Sequence, residues 1–564
     1  MALRRAVLQI IKKHGVASSV AVRHRSTNTE RNILKSIYSD IPMTNETLCD
    51  YLWENLDRWP DKTATVCGLT GRGYTFAQTH RMSVSFAASL RSKLKLKDGD
   101  TVAVILPNVP EYPCVVVGIL QAGCVVSPMN PLYTTEELKH QLKLIDCKAV
   151  VTSKLTHANV VESLKENNMN IPVILIDNEG LPEGTIKFAE FAEDLTVDID
   201  CLKSVKRTAD DVACIPFSSG TSGFPKGVEL THKSLVAANK SIALPEIVVV
   251  LETTATQQSA FTAVIPFFHI FGFCIQMINQ LALGCKLVTL PYFKPDIYVK
   301  TIATYKTDAL FIVPPIAVFL GKHPMVTSEH LSHVRAIIAG AAPLAKEDAE
   351  AVVSKNKNII FRQGYGLTET CGSISVADNK DSNYASVGFV FSNSEVKIAD
   401  VNTKKALGPG EEGEIWFRGP SLMKGYYKNE KATKEDITQD GWYKTGDIGK
   451  YDKKNYLYVT DRMKELIKVK GYQVAPAELE TLIRLHPKIA DCAVLGVPDQ
   501  ISGEVPKAFI VPFPGQEVKA EEVMEFVNGK VTSFKKIKHA QIVNEIPKTA
   551  AGKVLKRVLK EKYV

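Results

Sequence analysis

The stretch Ser218 to His232 reads SSGTSGFPKGVELTH. Three glycines and four hydroxyl residues fall within its first ten positions, which close on Pro225, Lys226 and Gly227. Glycine admits backbone conformations that other residues resist, so several N–H groups can turn inward together. A concave run of N–H groups binds anions, hydroxyls add donors, and Lys226 adds a full positive charge. The pattern is that of a phosphate-gripping loop. It is not a Walker A loop, which needs G-x-x-x-x-G-K-[ST], because Lys226 here precedes its glycine and follows a proline. Upstream, Val212 to Phe217 (VACIPF) reads as a short buried strand. Downstream, SLVAANKSIAL reads as a helix begun by Thr231 or His232. A glycine-rich loop between a strand and a helix is where α/β proteins hold phosphates. An ordinary Gly/Ser surface loop is the bland alternative.

Outward from the loop, buried strands alternate with helices, which predicts an α/β fold with a largely parallel sheet. Before it, helical patterns cover Leu48 to Trp59, Ala77 to Leu94, Val115 to Ala122 and Glu136 to Leu144. Strand patterns cover Thr101 to Leu106, Cys124 to Ser127, Ala149 to Thr152 and Val173 to Ile176. After it, strands are expected at Ala260 to Phe267, Lys286 to Leu290, Ala309 to Val313, Arg335 to Ala339 and Asn358 to Phe361, with a helix over residues 275 to 283. From Ser386 to Tyr458 the character changes to short strands and turns, SEVKIAD, GEIWFRG and NYLYVT, which predicts a small β subdomain. The last hundred residues alternate strand and helix again and suffice for a separate α+β domain.

The chain has 564 residues, too many for one ordinary core, so two to four domains are expected. Its net charge of +8 is concentrated at the start: Arg4, Arg5, Lys12, Lys13, Arg23 and Arg25 fall in the first 29 residues, which hold no Asp or Glu, leaving +2 for the remainder. Net charge therefore gives no support to a nucleic-acid partner. Leu3, Ala6, Val7, Ile10 and Ile11 lie on one face of a basic amphipathic segment, which fits a mitochondrial transit peptide over residues 1–30; a basic tail or a membrane-surface helix is the alternative. Without import the protein would be cytosolic. The terminal Lys562-Tyr563-Val564 is not a peroxisomal S-K-L signal. No apolar run is long enough to span a bilayer, which leaves peripheral membrane contact as the form such contact would take. The eleven cysteines show no C-x-x-C pair, so neither a zinc signature nor a disulfide framework is expected.

Several later stretches carry chemistry. In QGYGLTET (363–370), Tyr365 between glycines has the shape to stack on a flat base, while Thr368 and Glu369 reach polar atoms or a divalent cation; a Gly-turn whose tyrosine is core is the alternative. In YKTGD (443–447), an Asp after a Thr-Gly turn has the acceptor chemistry for ribose hydroxyls, with a plain surface turn as the alternative. The charge run of DRMKELIKVKGYQVAPAELE (461–480) is read, at its blandest, as a solvated helix face. PKTAAGK (547–553) presents a lysine beside a glycine.

Together, in this order, these motifs resemble the adenylate-forming enzymes, specifically the acyl-CoA synthetases of the 4-coumarate–CoA ligase and firefly luciferase group. SSGTSGFPKGVELTH resembles the AMP-binding signature, with Ser222 where Thr is common, and the resemblance runs from about residue 45 to the end. It implies a large N-terminal domain of layered sheets and helices with a small β subdomain (31–460), a hinge (461–464) and a small mobile α+β lid domain (465–564). It also implies a two-step reaction, in which a carboxylic acid attacks the α-phosphate of ATP and coenzyme A then displaces AMP, with Mg²⁺ as cofactor. By the same resemblance Ser218, Ser219, Gly220, Thr221, Ser222, Gly223 and Lys226 hold the pyrophosphate end. Gly364, Tyr365, Gly366 and Leu367 hold adenine, Thr368 meets the α-phosphate and Glu369 the Mg²⁺. Asp447 and Arg462 bind the ribose, and Lys553 meets the carboxylate and α-phosphate. Lys464 is the hinge, and the face around Lys468, Lys470 and Gly471 serves thioester formation and coenzyme A. His269 positions or gates the acid. Gly340, Ala341, Ala342 and Pro343 border adenine and acyl chain, and Phe271, Gly272 and Ile275 border the acid. Gly272 is expected to leave depth, and the apolar neighbours favour a wholly apolar acid, medium-chain or aryl-aliphatic. A luciferase-like monooxygenase and a catalytically silent binding scaffold are the alternatives.

Overall fold

The computed structural model describes residues 32–218, 225–463, 465–469, 472–500, 502–531, 533–549 and 552–563. Two large sheets carry the N-terminal part. The first has the order Phe217–Ser218, Lys226–Thr231, Val212–Cys214, Val125–Pro128, Thr101–Val104, Ala149–Thr152, Val173–Leu175 and Ile186–Lys187, and Gly425–Tyr426 also pairs with Lys226–Thr231. From Val212–Cys214 onward every neighbour is parallel. Parallel neighbours need crossovers, and the helices Tyr112–Gln121, Thr135–Leu144 and Lys154–Glu166 supply them.

Successive side chains of these strands go to opposite faces. Val102 and Val104 enter the main core, while Ala103 and Ile105 enter a second cluster with Leu138, Leu142, Val160 and Leu164 of the outer helices. Both faces are thus covered, which is why these strands read as unbroken apolar runs.

The second sheet runs Phe389–Val390, Ser375–Val376, Ile360–Tyr365, Ala336–Ala339, Ala309–Ile312, Ala260–Ala263, Lys286–Thr289, Thr63–Cys67 and Gly73–Thr75, parallel through its six central strands. Its Phe261, Leu287, Leu310 and Ile337 share the main core with Val102 and Val104 of the first sheet and with helical Phe86, Val115, Leu235 and Met277. A layer of helices is therefore packed between two sheets. Thr231 caps the helix His232–Ile242 through a reciprocal box with Ser234, as its position before the apolar run requires.

A third sheet, Ile33–Lys35, Glu395–Ala399, Gly413–Arg418, Tyr443–Tyr451 and Leu457–Arg462, is antiparallel throughout and forms the small β unit. The C-terminal part has its own sheet, Tyr472–Val474, Ile467–Val469, Gly503–Pro512 and Ile489–Asp499 with His539–Ile542, and its own core around Leu479, Ile483, Val494, Ile510 and Val523.

Four local expectations change. The Leu48 run stops being α-helical at Trp53 and resumes as one 3₁₀ turn, Leu56–Arg58. KGVELT is a strand, Lys226–Thr231, so the phosphate loop joins two antiparallel strands instead of a strand and a helix. YKTGD lies within the strand Tyr443–Tyr451, whose irregularity Gly446 absorbs at φ +71°. In the charge run, the described residues from Asp461 to Val474 are strand and turn, and the helix begins only at Pro476.

Candidate active site

A cavity of about 920 Å³ opens where strand ends of the two sheets meet, and Lys548, Thr549, Lys553 and Leu555 of the C-terminal part close one side of it. Ligands of open α/β sheets bind at the carboxyl ends of strands, and this cavity follows that rule.

At one end stands the base of the hairpin, where Ser218 faces Lys226 across the two strands. Its tip, with Ser219, Gly220, Thr221, Ser222 and Gly223, lies outside the described residues. The Lys226 ammonium lies 4.2 Å above the Tyr426 ring and 3.5 Å from the Asp436 carboxylate. The Tyr426 hydroxyl is 3.0 Å from Asp436 Oδ2 and 3.3 Å from Glu369 Oε1; with one proton it donates to one carboxylate at a time. Burial pushes the Glu369 carboxyl above its ordinary range. Glu369 follows Thr368, the first residue of a single 3₁₀ turn.

In the middle, Asp447 and Arg462 face each other across two antiparallel strands. Arg462 Nε is 3.1 Å from Asp447 Oδ1, and the Tyr365 hydroxyl donates to Asp447 Oδ2 at 2.7 Å. Burial raises the Asp447 carboxyl, and the Arg462 guanidinium opposes that rise. The Tyr365 ring is thereby fixed by its own hydroxyl. A Cβ on Gly366 would fall 2.1 Å from the Gly372 carbonyl oxygen, so only glycine fits there. Gly340, Gly364 and Leu367 complete this wall.

Lys553 reaches the same cavity from the other domain. Its N–H donates to Thr549 Oγ1 at 3.1 Å and its carbonyl accepts from the Thr549 N–H at 2.7 Å, closing a tight loop in which Gly552 has φ +78°. A Cβ on Gly552 would lie 3.1 Å from Val313 Cγ2, so the loop rests directly on the N-terminal domain. Burial first, and the Arg462 cation second, bring the Lys553 ammonium down to about 8. Burial, then the charge of Lys553, brings His269 down to about 4, so its ring is neutral near pH 7. His269 Nδ1 accepts the Phe271 N–H at 3.2 Å, which leaves the ring proton on Nε2.

An apolar arm extends from His269. Phe271 and Ile275 line it from a widened helical turn, Phe271–Ile278, with π-type hydrogen bonding. Gly272 does not line it. A Cβ there would lie 2.1 Å from the Pro266 carbonyl oxygen, so the glycine lets a helix pack on a backbone and contributes no depth. Ala341 borders the cavity at φ +72°, whereas Ala342 and Pro343 do not border it. Lys468 is exposed on the strand Ile467–Val469, where its N–H donates to Glu504, away from the cavity. Lys464, Lys470 and Gly471 lie outside the described residues.

Sequence reasoning missed Tyr426, which meets Lys226 through strand pairing, Asp436, which meets it from the end of the helix Glu430–Asp436, and the wall residues Ile247, Val248 and Val249, which lie in irregular chain. It also missed Arg362, for which a signal existed: a lone cation in the apolar strand sequence Ile359-Ile360-Phe361-Arg362.

With this geometry in view, the AMP-binding enzyme model matches residues 52–427 and the AMP-binding enzyme C-terminal domain model matches residues 478–553. The 4-coumarate–CoA ligase 1 of Arabidopsis thaliana is 35% identical, with 97% of this chain and 98% of that one covered. The 4-coumarate:CoA ligase 1 of Petunia hybrida is 36% identical, with 95% and 97% covered. Among solved structures, ATP-bound MatB from Rhodopseudomonas palustris matches with a TM-score of 0.80 at 26% identity, over 92% of this chain and 99% of that one.

Proposed function

Since this chain belongs to the AMP-binding enzyme family, with both of that family's domains present, we propose that it is an ATP-dependent acid–CoA ligase acting on a hydrophobic carboxylic acid. The observation that carries this reading is the convergence of Lys553, His269 and the Tyr365–Asp447–Arg462 group on one cavity with an apolar arm. In the first step a carboxylate oxygen attacks the α-phosphorus, the bond to the β-phosphate bridge breaks, and pyrophosphate leaves. In the second the thiol of coenzyme A attacks the acyl carbon, AMP leaves, and the thiol proton is released.

An anion approaching a polyanion needs cations aimed at the charge that develops. Lys226 with the Ser219–Gly223 tip and Ser218 serves the pyrophosphate end, and Lys553 the attacking carboxylate and α-phosphate, beside Thr368. Tyr365, with Gly364, Gly366 and Leu367, holds the adenine, and Asp447 with Arg462 the ribose. Glu369 suits Mg²⁺: it is a buried carboxylate met by the Ser218 hydroxyl and by a Tyr426 hydroxyl that it shares with Asp436, which leaves carboxylate lone pairs for a cation. When bound, Mg²⁺ neutralises charge on the phosphates. His269, neutral, positions the acid. Lys464 is the hinge, and the surface around Lys468, Lys470 and Gly471 serves the thioester step after rotation of the small domain.

The apolar arm supports a medium-chain or aryl-aliphatic acid. Acid-dependent exchange of pyrophosphate into ATP across a panel of carboxylic acids tests the reading. Exchange with apolar acids, and a CoA thioester on adding coenzyme A, is the expected result; no exchange with any acid overturns it. The arginine-bearing amino-terminal segment, whose first 29 residues hold no Asp or Glu, supports mitochondrial import. A fluorescent fusion of the full chain should enter mitochondria and one lacking residues 1–30 should stay in the cytosol; equal import of both would refute that assignment.

A further inference from the structure

Arg362 is 2% exposed, on the strand Ile360–Tyr365 and on the same face as Gly364. Its Nη1 donates to the Ala377 carbonyl at 2.8 Å and its Nη2 to the Ile247 carbonyl at 2.9 Å, while Nε has no partner. Taking a cation out of water costs several kcal/mol, even with Asp378 and Asp381 favouring it through space. The two carbonyls show what that cost secures.

They belong to two walls of the apolar arm. One wall is the irregular segment after the helix His232–Ile242, from which Ile247, Val248 and Val249 line the cavity. The Ile247 and Val248 N–H groups turn back on the Leu244 carbonyl, whereas the segment's own carbonyls are taken in succession by side chains: Ile247 by Arg362, Val248 by Asn379 at 2.9 Å, and Val249 by Arg335 at 3.5 Å. The other wall ends in Val376, which also lines the arm and directly precedes Ala377. A planar guanidinium with two divergent N–H groups spans both carbonyls, which an ammonium cannot do in the same geometry.

We propose that Arg362 is a specificity-determining positioning residue: by clamping the Ile247 and Ala377 carbonyls together it fixes the width of the acyl arm and so decides which hydrophobic acids are activated, an inference that rests on the ligase reading above. The residues after His269 then form one side of a channel whose bore is set from the opposite side.

The test uses the full chain as wild type, Arg362→Met and Arg362→Lys, in acid-dependent pyrophosphate exchange with straight-chain acids of increasing length and their ω-hydroxy counterparts. Thermal melts confirm that each variant is folded. The expected result for Arg362→Met is a shift of about tenfold in kcat/KM for long acids relative to short ones, the scale set by one methylene in an apolar pocket. The shift appears in the KM for the acid, with the KM for ATP unchanged, and Arg362→Lys falls between. An unchanged chain-length profile in a folded variant overturns the proposal, as does an equal loss with every acid and with ATP. A loss confined to ω-hydroxy acids also overturns it, by assigning Nε a direct contact with substrate. If Arg362→Met does not fold, Arg362→Lys alone decides between these outcomes. Failure of the ligase reading is separate and visible in the wild-type arm, as no exchange with any acid.

Discussion

Replacing Lys553 by Ala is expected to lower acyl-adenylate formation by about 10²–10³-fold, the scale for removing a group aimed at developing transition-state charge. Thioester formation from pre-made acyl-adenylate is expected to persist, because no negative charge then has to approach the α-phosphate. Equal loss in both half-reactions, measured separately by pyrophosphate exchange and by release of CoA thioester, would remove Lys553 from its role. The same lysine predicts a pH dependence. Its ammonium is held at about 8 in the folded protein against an ordinary 10.5, chiefly by burial. Since kcat/KM reports groups of the free enzyme, the exchange reaction should fall as pH rises through about 8. Bound anions favour the ammonium, so the corresponding fall in kcat should come at higher pH. For stability the sign is opposite. The unfolded chain holds this proton more tightly, so Lys553 opposes folding below about pH 8, and that opposition fades as pH rises towards 10.5. His269, at about 4, contributes no acid limb near neutrality.

Gly272→Ala should damage the fold more than the active-site chemistry alone would suggest. The new methyl would meet the Pro266 carbonyl oxygen at 2.1 Å and the Ile265 carbonyl oxygen at 2.8 Å, both backbone atoms with nowhere to rotate. The helix bearing Phe271 and Ile275 must shift, at a cost of about 3 kcal/mol on the scale of overpacked cores. A lowered melting temperature together with a raised KM for the acid is the expected pair of observations. An unchanged melt with activity moved towards shorter acids would instead restore Gly272 as a floor of the pocket.

The contrast at Gly272 shows what a sequence conceals. Glycine beside apolar residues looks like space, but whether the missing side chain faces a cavity or a neighbouring backbone depends on helix rotation, which local pattern does not determine. The parallel strands were legible because burial on both faces leaves unbroken apolar runs such as Val102 to Leu106. The strand Lys226–Thr231 was not, because Pro225 and Gly227 read as a turn and only Val228 and Leu230 mark the alternation. Asp447 and Glu369 were legible as acids within glycine-marked motifs. Tyr426, the partner of Glu369, was not, since its place beside Glu369 and Lys226 depends on Gly425–Tyr426 pairing with a strand some two hundred residues earlier. Lys553 could be named from its motif, but its lowered proton affinity comes from burial and from the Arg462 cation, which the motif does not contain.

That docking rests on a glycine. With room for barely a methyl between residue 552 and Val313, the side chain tolerated at one position is limited by the side chain at the other. A bulkier residue at either would keep the lysine out of the cavity while leaving both domains intact, and so silence the adenylation step without harming a single residue that touches substrate.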